Sequence, residues 1–235
     1  MRDVFGDIFG RPFGIVLWQL LEATQFTIYL SLIAFVGGGA LALIITLVRV
    51  SPSKAAKAAT SAYIWTFQSV PLLMLLFLLG LGIPRLFGVN VNPWLAASVA
   101  LVIYTSAYLS DVWRGAVEAV PIGQWEAGHV LGLRFIPVIR LIIIPQAFRL
   151  SLAPTVGFMV QIIKGTSLAF IIGFHDLMNV GKRWANAPVE GTEPFIIYPL
   201  MALIYFSLCF PLSVWSRRLE RRLGSVSKKQ LVVAA

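Results

Sequence analysis

Charge is scarce in this sequence. Only 12% of its residues are Asp, Glu, Lys or Arg, against roughly 25% in soluble domains, and 58% are hydrophobic. A soluble globular class is excluded, and the mean hydropathy of +0.84 points to an integral membrane protein. Cysteine is almost absent: Cys209 stands alone inside an apolar run, which excludes an intrachain disulfide. The two histidines, His129 and His175, fall in different loops and form no metal pair. HExxH, CxxC and GxSxG are all missing. A phosphate loop is missing too, because GKRW at 181–184 lacks the upstream glycine and KGTS at 164–167 has Lys and Gly in the wrong order. No catalytic residue, metal site or cofactor is expected in this chain.

What is present is apolar sequence in five long pieces: Phe26–Val48, Ser61–Gly82, Trp94–Ser110, Leu150–Phe174 and Phe195–Ser216. Continuous runs of this length suit membrane-spanning helices of about 20 residues, whereas barrel strands alternate and are about half as long. The expected fold is therefore all-α, with about five transmembrane helices in one membrane domain over residues 24–219. Residues 1–23 mix Asp3, Asp7 and Arg11 with short apolar pieces, which predicts a surface helix. Residues 220–235 are expected to be a cytoplasmic tail, whose end SVSKKQLVVAA predicts a solvated, disordered segment. Pro71 and Pro211 mark expected kinks, and Gly37, Gly38, Gly39 and Ala40 form a small-residue patch for close helix contact.

The net charge of +9 follows topology. Arg49, Lys54, Lys57, Arg114, Arg134, Arg140, Arg149 and six basic residues between Arg217 and Lys229 collect on one side; Arg2, Arg11, Arg85, Lys182 and Arg183 fall on the other. The positive-inside rule makes the first side cytoplasmic, with the N-terminus outside and the C-terminus inside. Nucleic-acid binding has no support, since the basic residues are not interleaved with aromatics. A stand-alone secondary amino acid carrier is the alternative function, but ion-coupled carriers place carboxylates near the midplane. The nearest here, Asp111 and Glu22, sit at span ends.

One polar segment interrupts the apolar sequence, GQWEAGHVLGLRFIPVIRLIIIPQ at 123–146. Gln124 to Leu133 reads as a short amphipathic helix bracketed by Pro121 and Pro137, suited to docking in a groove on a soluble partner. Glu126, Ala127 and Gly128, then Gly132, then Ile142, Ile144 and Pro145 resemble the EAA loop of bacterial ABC importer permeases, with Gly128 where a second alanine is usual and Ile144 where leucine is usual. SAYLSDVWRGAVEAVPIGQWEAG, IIIPQAFRLSLAPTVGFMVQIIKGTSLAFIIG and FQSVPLLMLLF resemble segments of the polar amino acid permeases that serve histidine, arginine, glutamine and glutamate uptake.

That resemblance implies a type I importer architecture in the bacterial inner membrane. The coupling loop covers about 114–149, and Glu126, Ala127, Gly128, Gly132 and Pro145 are the coupling residues. It implies a second permease subunit, identical or paralogous, two ATPase subunits that bind ATP and Mg, and a periplasmic amino acid binding protein. Glu126 would bond with the ATPase or brace the helix, Gly132 would allow a tight turn, and Gly128 would loosen the helix by up to about 1 kcal/mol. For the translocation path, Lys164 lies midway through the fourth span, followed by Thr166 and Ser167. A lysine there is costly in lipid and should face protein or water. With Asp111 and Gln68 it makes up the candidate substrate path; its charge would meet a substrate carboxylate, or pair with Asp111 in a purely structural role.

Overall fold

The computed structural model describes residue 10, residues 13–50 and residues 53–233, with side chains as far as Leu223. All regular elements among the described residues are helical. In chain order they are α1 (Phe13–Val50), α2 (Lys54–Ser69), α3 (Leu72–Phe87), α4 (Pro93–Glu118), α5 (Ile122–Val130), α6 (Phe135–Ile172), α7 (Leu177–Ala185) and α8 (Pro194–Val233). Four of them, α1, α4, α6 and the Pro194–Leu223 part of α8, are long and apolar enough to cross a membrane, and α2 and α3 together count as a fifth when the bent pair is taken as one broken span.

The break in the second span has a local cause. Val70 precedes Pro71 and is driven out of the helical region to φ −89° and ψ 124°, so the helix stops at Ser69 and restarts at Leu72. The two halves meet at 96°. Pro71 was expected to kink one continuous span; it divides that span instead. In α6 the chain accommodates Pro145 differently. A wide turn over Ile139–Ile143, in which the Ile144 N–H reaches the Ile139 carbonyl, precedes the proline that cannot donate, and the helix continues.

Helix ends follow side-chain chemistry. Ser53 accepts from the Ala56 N–H at 3.3 Å to start α2, Asn92 accepts from the Trp94 N–H at 2.9 Å to start α4, and Asp176 accepts from the Asn179 N–H at 2.9 Å to start α7. Inside the spans, Thr24, Ser31 and Thr46 return their hydroxyls to carbonyls four residues back at 2.7–2.8 Å, which satisfies them where water is absent.

The main core lies where α1, α3, α4 and α6 meet, around the fully buried Leu30, Leu76, Leu101 and Ile162, with Phe174 just beyond α6. The small-residue patch sets the α1–α4 distance: a Cβ on Gly38 would stand 2.5 Å from Thr105 Cβ, and one on Gly37 would stand 3.0 Å from Val102 Cγ2.

Three expectations are corrected. Residues 13–23 are not a separate surface helix but the beginning of α1. They bury Val16 and Leu20 against Leu177, Val180 and Ile197, and Gln19 accepts the Trp184 indole N–H at 2.8 Å. That contact explains their apolar content better than a membrane surface does. Asp3, Asp7 and Arg11 lie outside the described residues. The tail is helical rather than irregular, since α8 runs through Pro211 and on to Val233. The fourth span begins at Phe135, well before Leu150, so the second half of the polar segment at 123–146 is continuous with a long apolar helix.

Candidate functional site

The polar segment folds as a clamp. α4 ends at Glu118, Pro121 redirects the chain, and α5 runs from Ile122 to Val130. Its end is closed by paired backbone bonds: the Gly132 N–H donates to the His129 carbonyl at 2.9 Å and the Leu133 N–H to the Gly128 carbonyl at 3.1 Å. This double closure needs a residue with positive φ at its centre, and Gly132 supplies it at φ +75°. The tight turn expected of Gly132 is present, and with it a reason for its four-residue spacing from Gly128.

Gly128 has a role that its sequence reading underrated. It is the buried residue of α5, and a Cβ there would meet Val138 Cγ2 at 2.8 Å and Ile142 Cδ1 at 3.0 Å. The glycine is a contact surface against α6, so the helix it was expected to loosen is instead pressed onto its neighbour. Trp125 adds to the contact within a cluster of Ala116, Val120, Val138, Ile143 and Ala147, with its ring centroid 6.4 Å from that of Phe135. Gln146 completes the clamp, donating to the Gln124 side chain at 3.1 Å and to the Ile142 carbonyl at 3.0 Å.

The opposite face of α5 is open. Glu126 and Ala127 are exposed, and Glu126 forms no hydrogen bond or ion pair with a described residue. Beside them Ile122, Val130 and Leu131 are 73%, 86% and 75% exposed, as is Ile136 at 75%. Bracing of the helix by Glu126 through a hydrogen bond or ion pair is thus not seen among the described residues. Pro145 is exposed just after the wide turn in α6.

The candidate path residues are less unified. Lys164 is exposed, with no hydrogen bond or ion pair to a described residue. The expected pairing with Asp111 is not made, because Asp111 accepts from Arg114 Nη2 at 2.8 Å. Thr166 is fully buried and donates to the Ile163 carbonyl at 2.7 Å, and Ser167 donates to the Lys164 carbonyl at 2.6 Å. Their hydroxyl protons are committed to the helix. Gln68 packs on α4, its amide 3.4 Å from the Ala107 carbonyl. Among these five residues the side-chain hydrogen bonds run to the backbone or to Arg114, and one, from Ser167 to the Lys164 carbonyl, joins two of them.

A further polar group, without a functional motif in the sequence to mark it, is Asp176. It lies between the fourth and fifth spans yet is fully buried. One carboxylate oxygen caps α7, and the other has no hydrogen-bond partner among the described residues. Burial pushes its carboxyl from 3.8 up to about 7, and backbone hydrogen bonds oppose that rise. Its signal in the sequence is local: an Asp three residues before Asn179, opening an amphipathic segment, is an N-cap pattern.

Comparison with known proteins agrees with this geometry. The L-cystine transport system permease protein TcyB of Bacillus subtilis strain 168 is 33% identical over 207 residues, 88% of this chain and 87% of that protein. The probable glutamine ABC transporter permease protein GlnM of the same organism is 29% identical over 203 residues, covering 86% of this chain and 92% of the relative. Among solved structures, the crystal structure of an amino acid ABC transporter with histidines superposes with a TM-score of 0.80 at 30% identity, over 87% of this chain and 94% of the other. A stand-alone carrier is not favoured among such relatives. With residues 36–225 matching the family as a whole, the chain belongs to the binding-protein-dependent transport system inner membrane components.

Proposed function

We propose that this chain is a permease subunit of an ATP-driven amino acid importer and that α5 is its coupling helix. The observation that supports this reading is α5 itself. One side is locked to α6 through Gly128, Trp125 and Gln146, while Glu126, Ala127, Val130 and Leu131 face outward. A short helix held at both ends and open on one face transmits force instead of bending, and its apolar and acidic surface suits a groove on a soluble partner.

The proposed assembly is two permease subunits, identical or paralogous, with two ATPase subunits on the cytoplasmic side and a periplasmic amino acid binding protein opposite. ATP and Mg belong to the ATPase. Closure of the ATPase pair draws the two coupling helices together. Because α5 is clamped to the start of α6, the motion passes into that span and, through the packed α1–α4 contact, into the rest of the bundle. The orientation is the one that places the thirteen-residue basic set inside, with the N-terminus out and the C-terminus in. Lys164 is proposed to face the path between subunits, where an exposed, unpaired ammonium can meet a substrate carboxylate.

Uptake by the reconstituted complex with its ATPase and binding protein tests the reading. ATP-dependent accumulation of one or more amino acids from a panel is expected. Accumulation driven by a proton or sodium gradient without ATP would overturn it.

A further inference from the structure

A cavity lies at the ends of the spans, against the N-terminal part of α5. It has a volume of about 570 Å³ and is lined by Arg49 at the end of α1, Lys57 on α2, Arg114 and Glu118 at the end of α4, and Ile122 and Trp125 on α5. That volume falls within the ~300–1,000 Å³ range of small-molecule sites. Its charges do not balance. Arg114 is already engaged by Asp111 and Glu118, whereas Arg49 and Lys57 have no ion pair with a described residue. Among the described residues, Arg49 Nη1 is buried without a hydrogen-bond partner. A buried guanidinium nitrogen left unpaired is costly, and an anion entering the cavity would satisfy it.

We propose that this cavity binds a phosphate-bearing anion, the headgroup of an anionic phospholipid. The phosphate would take charge-assisted hydrogen bonds from Arg49 and Lys57. The apolar wall that Ile122 and Trp125 provide would meet the glycerol and upper acyl chain, the setting in which tryptophan sits at a membrane interface. The position is that of headgroups, since α1 and α4 end here as they leave their apolar stretches. On the proposed orientation this is the cytoplasmic leaflet, where basic pockets between membrane helices recruit anionic lipid. Because α5 forms part of the wall, an occupant bridges α1, α2 and the coupling helix.

The test uses the full transporter in nanodiscs of phosphatidylcholine with graded phosphatidylglycerol, reading retained phosphatidylglycerol per permease chain by mass spectrometry after washing. Both faces of a nanodisc meet the same lipid, so the result does not depend on orientation or on transport. The wild type is expected to retain phosphatidylglycerol over phosphatidylcholine. Arg49→Gln with Lys57→Gln should need at least about tenfold more for half occupancy, the effect of losing two charge-assisted bonds. Arg49→Lys with Lys57→Arg should hold close to wild type, which separates lost charge from lost folding. Arg217→Gln, outside the cavity, should leave retention unchanged. Displacement of the lipid by inorganic phosphate would support the anion site and overturn its assignment to a lipid. Equal retention by the wild type and the double glutamine variant, or an equal loss in Arg217→Gln, would overturn the site.

Discussion

Gly128→Ala should be harmful in this chain although alanine is the usual residue of the loop it resembles. As a helix substitution alone it should stabilise α5 by about 1 kcal/mol. The new Cβ, however, would stand 2.8 Å from Val138 Cγ2, 3.0 Å from Ile142 Cδ1 and 3.2 Å from Val138 Cγ1, where ordinary contact begins at 3.4 Å. Val138 is fully buried, and its branched side chain has no room to turn away. Either α5 moves off α6 by roughly half an ångström or the core around Ala147 and Ile143 gives, at about 1–3 kcal/mol. The net expectation is a loss of about 0–2 kcal/mol, concentrated at the clamp. Val138→Ala removes the obstructing methyls at a cost of about 1.5 kcal/mol by itself. In the double variant the two losses should not add, with an interaction of about 1–2 kcal/mol in the melting of the purified complex. In reconstituted vesicles Gly128→Ala should lower the amino acid transported per ATP hydrolysed, and the added Val138→Ala should restore most of it. Wild-type coupling for Gly128→Ala alone would refute the close contact, and additive losses in the double variant would refute Val138 as the obstacle.

Four further outcomes are expected. Gly132→Val forces a β-branched residue to φ +75° and should cost about 1–3 kcal/mol, seen as uncoupled ATP hydrolysis in complexes that still assemble. Glu126→Lys reverses an exposed charge and should leave the melting temperature unchanged while reducing ATPase binding in a pull-down; a lowered melting temperature would point to a bracing role instead. For Asp176, a carboxyl raised from 3.8 to about 7 binds its proton more tightly when folded, so the folded state gains stability below that window and loses it as pH rises through it. Lowering the pH from about 8 to about 6 should therefore raise the melting temperature, and Asp176→Asn, which keeps the cap, should abolish that dependence. Lys164→Met at matched expression should raise the transport KM or lower the maximal rate for at least one amino acid; unchanged values throughout would remove Lys164 from the path.

Much of this was legible because membrane helices advertise themselves by continuous hydrophobicity, and because the Gly128 to Gly132 spacing obeys a helix-closing geometry that leaves a fixed sequence mark. What the sequence hid were properties of pairs distant along the chain. That Gly128 is a contact and not a weakness depends on Val138 and Ile142 across the loop. That residues 13–23 belong to α1 depends on Leu177 and Ile197, far along the chain, which bury Val16 and Leu20. The burial of Asp176 escaped notice because a hydropathy window sees a carboxylate beyond a span and not the bundle that closes over it. The severity of the break at Pro71 escaped too: a proline announces a disturbed helix, while the 96° turn is set by what α3 packs against, Gly80 lying where any Cβ would stand 2.6 Å from Ile172 Cγ2.

The central claim, that the open face of α5 seats on the ATPase, is tested most directly by a cysteine placed there. Glu126→Cys in a Cys209→Ser background, cross-linked within the intact complex by a short thiol-to-amine reagent, is expected to join the permease to the ATPase subunit, with a yield that changes when ATP binds. A cysteine at Asn186, on the opposite side of the membrane by the proposed orientation, should give no such product. Cross-linking to the ATPase from Asn186→Cys and none from Glu126→Cys would contradict the account.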